Sequence, residues 1–154
     1  MHVGQMSNFE GRSGAEFTMT VERGKIREFG AAVGAQHPLY FGDDPMSPPT
    51  FLASSALWMT DANAPWGDEP PDLSRVLHGG QQYVFHGPPP RAGTVLHGRQ
   101  RVDRVYSKQG RRGGRLEFVD IVTEFRDTDG RLVAEERATL VVTEQAPPAS
   151  APAG

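Results

Sequence analysis

Four runs of strand-forming residues, about 76–86, 94–106, 115–126 and 131–143, constrain this chain more than any other feature. They are separated by GPPPRAG, SKQGRRGG and DTDG, which carry the Gly, Pro and Asp that turns require. Short connections make consecutive strands antiparallel neighbours, so the second half is expected to form a meander. Within the third run, Leu116, Phe118, Val119, Ile121, Val122 and Phe125 place apolar side chains on both parities. That strand is expected to be buried on both faces, by a helix on one side and a second subunit on the other.

The first half reads as helical. Thr20 is positioned to cap a helix from Val21, with Glu22 in its first turn and Gly34 at its end. Ile26, Phe29 and Val33 recur at i, i+3 and i+7, which is one helical face. Ser47-Pro48-Pro49 then resembles a second helix start, with Pro48 at the first helical position. The TFLASSALWM segment that follows is apolar nearly all round, so it should be buried on most sides. An antiparallel sheet wrapped around one long buried helix is the architecture this implies, an α+β fold.

Composition sets the bounds. At 154 residues one domain is expected. The apolar 37% plus 18 glycines comes to about 49%, an ordinary value for a globular domain. Residues 1–15 read as a flexible N-terminus, 16–144 as the folded domain and 145–154, Pro/Ala-rich, as a disordered tail. There is no cysteine, which excludes disulfides, thiol nucleophiles and cysteine-held metals. No apolar run approaches 18 residues and the N-terminus lacks an apolar signal core, so a cytoplasmic protein without membrane contact is expected.

The segments IREFGAAVGAQHPLY, SPPTFL, VLHGGQQYVFHGPPPRAG and GGRLEFVDIVTEFRDTDGRLVAEERATLVV together resemble the MaoC-like hydratases and dehydratases of the hot-dog fold. Within them the chain is most similar to the N-terminal-type, non-catalytic-subunit branch of (3R)-hydroxyacyl thioester dehydratases. The resemblance implies a hot-dog domain that pairs into dimers. It also implies reversible hydration of trans-2-enoyl thioesters of coenzyme A or acyl carrier protein, with no other cofactor. Such chemistry needs a base for the α-proton, an acid for the leaving hydroxyl, and donors for the enolate-like oxygen. Catalytic relatives supply the acid and base from a G-D-x-N-P-x-H run. Here that run is Gly34-Ala35-Gln36-His37-Pro38-Leu39-Tyr40, so Ala35 replaces the Asp and Tyr40 replaces the His. Ala35 carries no proton, and a phenol titrates near 10.

The helix start departs too, because Pro48 and Pro49 have no N–H to offer a thioester oxygen, leaving Thr50 and Phe51 as donors. The expected role is a subunit that lacks the Asp/His dyad and joins a catalytic MaoC-like subunit, or a homodimer. A self-sufficient hydratase or thioesterase with a divergent site remains an alternative, as does a non-enzymatic thioester-binding scaffold. Weak catalytic candidates are His37 with Asp43 or Asp44, and His78, beside the degenerate Ala35, His37 and Tyr40. Expected substrate contacts are Tyr40, Pro49, Thr50, Phe51, His78 and Gly79. His86 and His97 read as structural, and no spacing suits a metal.

Charge is uneven. From Arg91 to Arg115 eight basic residues face one acid, Asp103, a segment of +7 in a chain of net −3. Arg91, Arg111, Arg112 and Arg115 are the expected contacts for coenzyme A phosphates or an acidic carrier protein. The segment lacks interleaved aromatics and any nucleic-acid motif, so nucleic acid is not an expected partner.

Overall fold

The computed structural model describes residues 6–110 and 114–144. Five antiparallel strands form one sheet: β1 (Phe17–Thr20), β2 (Val76–Phe85), β3 (Val95–Gln109), β4 (Arg115–Arg126) and β5 (Leu132–Thr143). Their order is β1-β3-β4-β5-β2. The last four strands fall where the sequence places them, and the hot-dog architecture is present.

The meander is shorter than expected, because β2 does not pair with β3. It crosses the sheet to lie beyond β5, with Val76 opposite Val142 and Phe85 opposite Ala134. The connection after β2 holds Pro88, Pro89 and Pro90, which lack N–H groups and cannot close a tight hairpin. It runs instead along the front segment, with Ala92 N–H donating to Pro45 O and Ser47 N–H to Pro90 O at 3.0 and 2.9 Å.

Helix α1 (Arg23–Ala32) begins two residues later than the sequence suggested, and its cap is Glu22 rather than Thr20. Thr20 is consumed by β1, whose alternation turns Phe17 and Met19 inward against β3. Ile26 is buried and Phe29 packs on the core, but Val33 caps the helix and stands 55% exposed.

The long buried helix is absent. Phe51–Leu57 is a seven-residue 3-10 helix, and Leu57 is 72% exposed. The prolines leave the first turn to close by i→i+3 bonds, Phe51 N–H to Pro48 O and Ala53 N–H to Thr50 O. Ser54 Oγ then donates to the Phe51 carbonyl at 2.7 Å, the acceptor an α-helix would need for Ser55 N–H. Phe51 and Leu52 remain fully buried, so the segment still plugs the core without threading it.

One core cluster joins Phe17, Met19, Ile26, Phe51, Leu52 and Phe125. A second joins Met6, Phe9, Trp66, Val102, Val119, Ile121 and Val142. The second corrects the reading of residues 1–15 as flexible throughout. Met6–Phe9 is a 3-10 turn with Met6 at 0% exposure, and Phe9 meets Trp66 edge-to-face at 5.6 Å. Residues 11–14 then bond along β3, with Gly11 N–H to Val102 O and Gly14 N–H to Gln100 O, both 2.9 Å. Pro- and Ala-rich residues 145–154 lie outside the described residues. Among the described residues no helix is long and apolar enough to cross a membrane.

Candidate functional site

The loop from Gly34 to Tyr40 follows α1 directly. Gly34 adopts a positive φ of 68° past the helix end, and Ala35 N–H returns to Gly30 O at 2.8 Å. His37 Nδ1 accepts from Leu39 N–H at 3.2 Å and so caps the short turn Pro38–Tyr40. Tyr40 is half-buried against the first core cluster, its ring 5.9 Å from His37. Neither aspartate forms a dyad with His37. Asp43 faces Arg23 at 3.6 Å, and Asp44 holds Arg91, whose Nη1 also donates to the Asp44 carbonyl at 2.7 Å. A ring nitrogen committed to a backbone N–H with no carboxylate behind it is a turn cap, not a poised base.

The other expected substrate contacts scatter. Pro49 and Thr50 are exposed, whereas Phe51 is fully enclosed, edge-to-face with Phe29 at 5.6 Å. The Phe51 N–H, a candidate donor to a thioester oxygen, is taken by the Pro48 carbonyl. Gly79 is the extra residue of a bulge between His78 and Gly80. A Cβ there would lie 2.8 Å from Val141 Cγ2 and 3.1 Å from Thr139 O, so packing against β5 accounts for the glycine.

His78 belongs to a polar group that the sequence did not reveal. Its Nε2 lies 2.7 Å from Gln81 Oε1, and Gln81 Nε2 donates to Glu136 Oε1 at 2.5 Å. Burial pushes the Glu136 carboxyl above its ordinary range. Burial, and the neighbouring Glu136, push the Tyr83 phenol up to about 12. Gln81 and Glu136 sit two residues apart in register, on neighbouring strands β2 and β5, a pairing that only the β2 crossover creates.

The expected phosphate contacts are not brought together. Arg91 lies in the β2–β3 crossover and is tied to Asp44. Arg115 opens β4, where its guanidinium donates to Ser107 Oγ at 2.8 and 3.0 Å. Between them runs the 15-residue β3, which at about 3.3 Å per residue spans roughly 50 Å. Arg111 and Arg112 lie outside the described residues. His86 and His97 have surface partners, Glu135 at 3.1 Å and Thr18 at 3.2 Å.

A cleft of about 390 Å³ lies between α1 and the loop after Tyr40. Arg23, Arg27, Tyr40, Phe41, Asp43 and Pro45 line it. Its only sequence signal is the i, i+4 spacing of two arginines on one helical face.

Comparison with known proteins places these observations. A UPF0336 protein from Parafrankia sp. (strain EAN1pec) is 34% identical over 92% of this chain and 96% of its own length. The structure of the C-terminally truncated HadBC (3R-hydroxyacyl-ACP dehydratase) complex from Mycobacterium tuberculosis superposes with a TM-score of 0.70. The match is 24% identical and covers 86% of this chain and 96% of that one. The ChsH1–ChsH2 complex from the same organism gives 0.64 at 17% identity, covering 97% of this chain and 92% of that one. The model of the "FAS1-like, dehydratase domain region" family matches residues 8–136. A chain with the hot-dog sheet, matched by that model over most of its length, belongs to the FAS1-like dehydratase domain family.

Proposed function

We propose that this chain is the subunit of an acyl-thioester hydratase/dehydratase that lacks the Asp/His dyad, and that it works joined to a catalytic MaoC-like subunit. The observation that carries the reading is the loop after α1. Ala35 stands where the G-D-x-N-P-x-H run that this loop resembles has its Asp, and His37 is spent on capping Leu39 N–H. The inner sheet face supports it as well. A 3-10 helix replaces the long helix, leaving Tyr83, Phe85 and Val133 only partly covered, a surface suited to an acyl chain. For the partner, β2 offers ten residues with one edge unpaired among the described residues, the standard template for strand addition. Two of the structures similar in fold, HadBC and ChsH1–ChsH2, are themselves complexes.

The test is hydration of crotonyl-coenzyme A. The purified chain alone is expected to turn over negligibly, and the chain with a MaoC-like subunit bearing the intact Asp/His run is expected to be active. Robust turnover by the isolated chain overturns the reading. It would favour a self-sufficient enzyme, for which the His78–Gln81–Glu136 group supplies the titratable side chains; turnover would then be lost in His78→Ala and Glu136→Gln.

A further inference from the structure

Arg23, Arg27 and Gly30 recur at i, i+4 and i+7 and share one face of α1. Gly30 lets the following loop close on that face. A Cβ there would lie 3.3 Å from Phe41 Cζ and 3.7 Å from Tyr40 Cβ. Phe41 therefore packs edge-on against the helix beside the arginines, with 37% of its surface still open. The cleft that results carries two guanidiniums against one carboxylate. Asp43 meets Arg23 at 3.6 Å with both side chains open to solvent, an ion pair weak enough to yield to a stronger anion. Arg27 makes no hydrogen bond or ion pair among the described residues. Guanidiniums in pairs match the bidentate geometry of phosphate oxygens, and an adjacent ring offers a stacking face. A volume of about 390 Å³ accommodates a phosphate ester with its substituent.

We infer that this cleft holds the phosphate of a phosphopantetheine thioester, with Arg23 and Arg27 as its ligands. The assignment rests on the acyl-thioester reading above and moves the phosphate contact from the β3 arginines to α1. The phosphate is common to coenzyme A and to the arm of a carrier protein. Coenzyme A adds an adenosine that would stack on Phe41.

Calorimetry on the full chain, with whatever subunit co-purifies, tests this with four probes: 4′-phosphopantetheine, adenosine 3′,5′-bisphosphate, inorganic phosphate and S-crotonyl-pantetheine, which has no phosphate. Phosphopantetheine is expected to bind, and Arg27→Ala to weaken it by about 10- to 100-fold, the usual loss for one charge-assisted contact. Arg27→Lys should recover only part of that, because an ammonium cannot bind bidentately. Tight binding of the bisphosphate, lost in Phe41→Ala, identifies coenzyme A as the source. Phosphopantetheine binding without it identifies the carrier-protein arm. No phosphopantetheine binding, or binding no tighter than inorganic phosphate, or affinity indifferent to Arg27→Ala, overturns the inference. Crotonyl-pantetheine separates the two readings: if it alone binds, the phosphate site falls and the thioester reading stands. If the phosphate esters bind and the thioester does not, the anion site stands and the thioester reading falls.

Discussion

Substituting Gly98 by alanine should test how β1, and through it α1, is held to the sheet. Gly98 lies opposite Phe17 in the β1–β3 register, and the Phe17 ring, 5% exposed, lies over the space a side chain would take. A Cβ at 98 would come within 2.6 and 2.7 Å of Phe17 Cε1 and Cε2, and nearer still to Cζ. The ring cannot retreat freely, because Phe125 meets it edge-to-face at 6.3 Å. Overpacking of this kind costs about 1–3 kcal/mol. In a chain of this size that lowers the melting temperature by roughly 2–4 °C per kcal/mol. A double-mutant cycle isolates the cause. Phe17→Leu removes the three ring atoms that the new Cβ would strike. In that background Gly98→Ala should become stabilising by about 0.5–1 kcal/mol, since alanine is favoured over glycine in a strand. The expected coupling is thus about 1.5–4 kcal/mol, read from urea denaturation of all four proteins. An equal penalty in both backgrounds would refute the account.

Three further outcomes follow from the described contacts. The raised carboxyl of Glu136 favours its protonated form in the fold, so its contribution is full below its ordinary value of 4.5 and declines as pH rises through the raised value. Glu136→Gln should therefore be more stable than the wild type at pH 8 and lose that advantage near pH 4.5; a pH-independent difference in denaturation midpoint contradicts this. Glu117 is 1% exposed and its Oε2 has no hydrogen-bond partner among the described residues, so Glu117→Leu should stabilise the fold by about 1–3 kcal/mol, and destabilisation would show that the carboxylate is satisfied. Phe9→Ala should cost about 3–5 kcal/mol and red-shift Trp66 emission, whereas a silent substitution would mean the N-terminal turn does not stay docked in solution.

Local chemistry made the strands legible. Asp127 and Gly130 bracket the β4–β5 turn, and their backbone groups bond across it at 2.9 Å, as a DTDG sequence implies. Sheet order was not legible, because period-2 alternation specifies a strand but not its neighbour, and Gly/Pro-rich segments mark tight turns and crossovers alike until the missing N–H groups of Pro88–Pro90 are counted. β1 escaped notice for its length: FTMT alternates correctly but spans only four residues. The 51–57 segment misled through its apolar composition, where Ser54 and two prolines decided the backbone. At the site, Ala35 and Tyr40 stand out only by resemblance to the G-D-x-N-P-x-H run. The arginine cleft was not, since it exists only once the Phe41 loop folds onto Gly30. The network of His78, Gln81 and Glu136 likewise required the β2–β5 pairing.

The crossover also has a consequence for how the chain reaches its native state. β2 ends at Phe85, but the strand it pairs with begins at Leu132 and is the last along the chain. During synthesis β2 emerges well before its mate, while β3 and β4 can already zip together as a local hairpin. Its pairing, like that of β1 with β3, is a long-range step of folding, and such steps are slow because a large loop must close first. Until then β2 presents two open edges, and its Gly79-Gly80 pair and polar residues limit its stickiness in that interval. Even after β5 arrives the outer edge of β2 stays unpaired among the described residues, so the chain offers an open strand from the moment its own sheet closes.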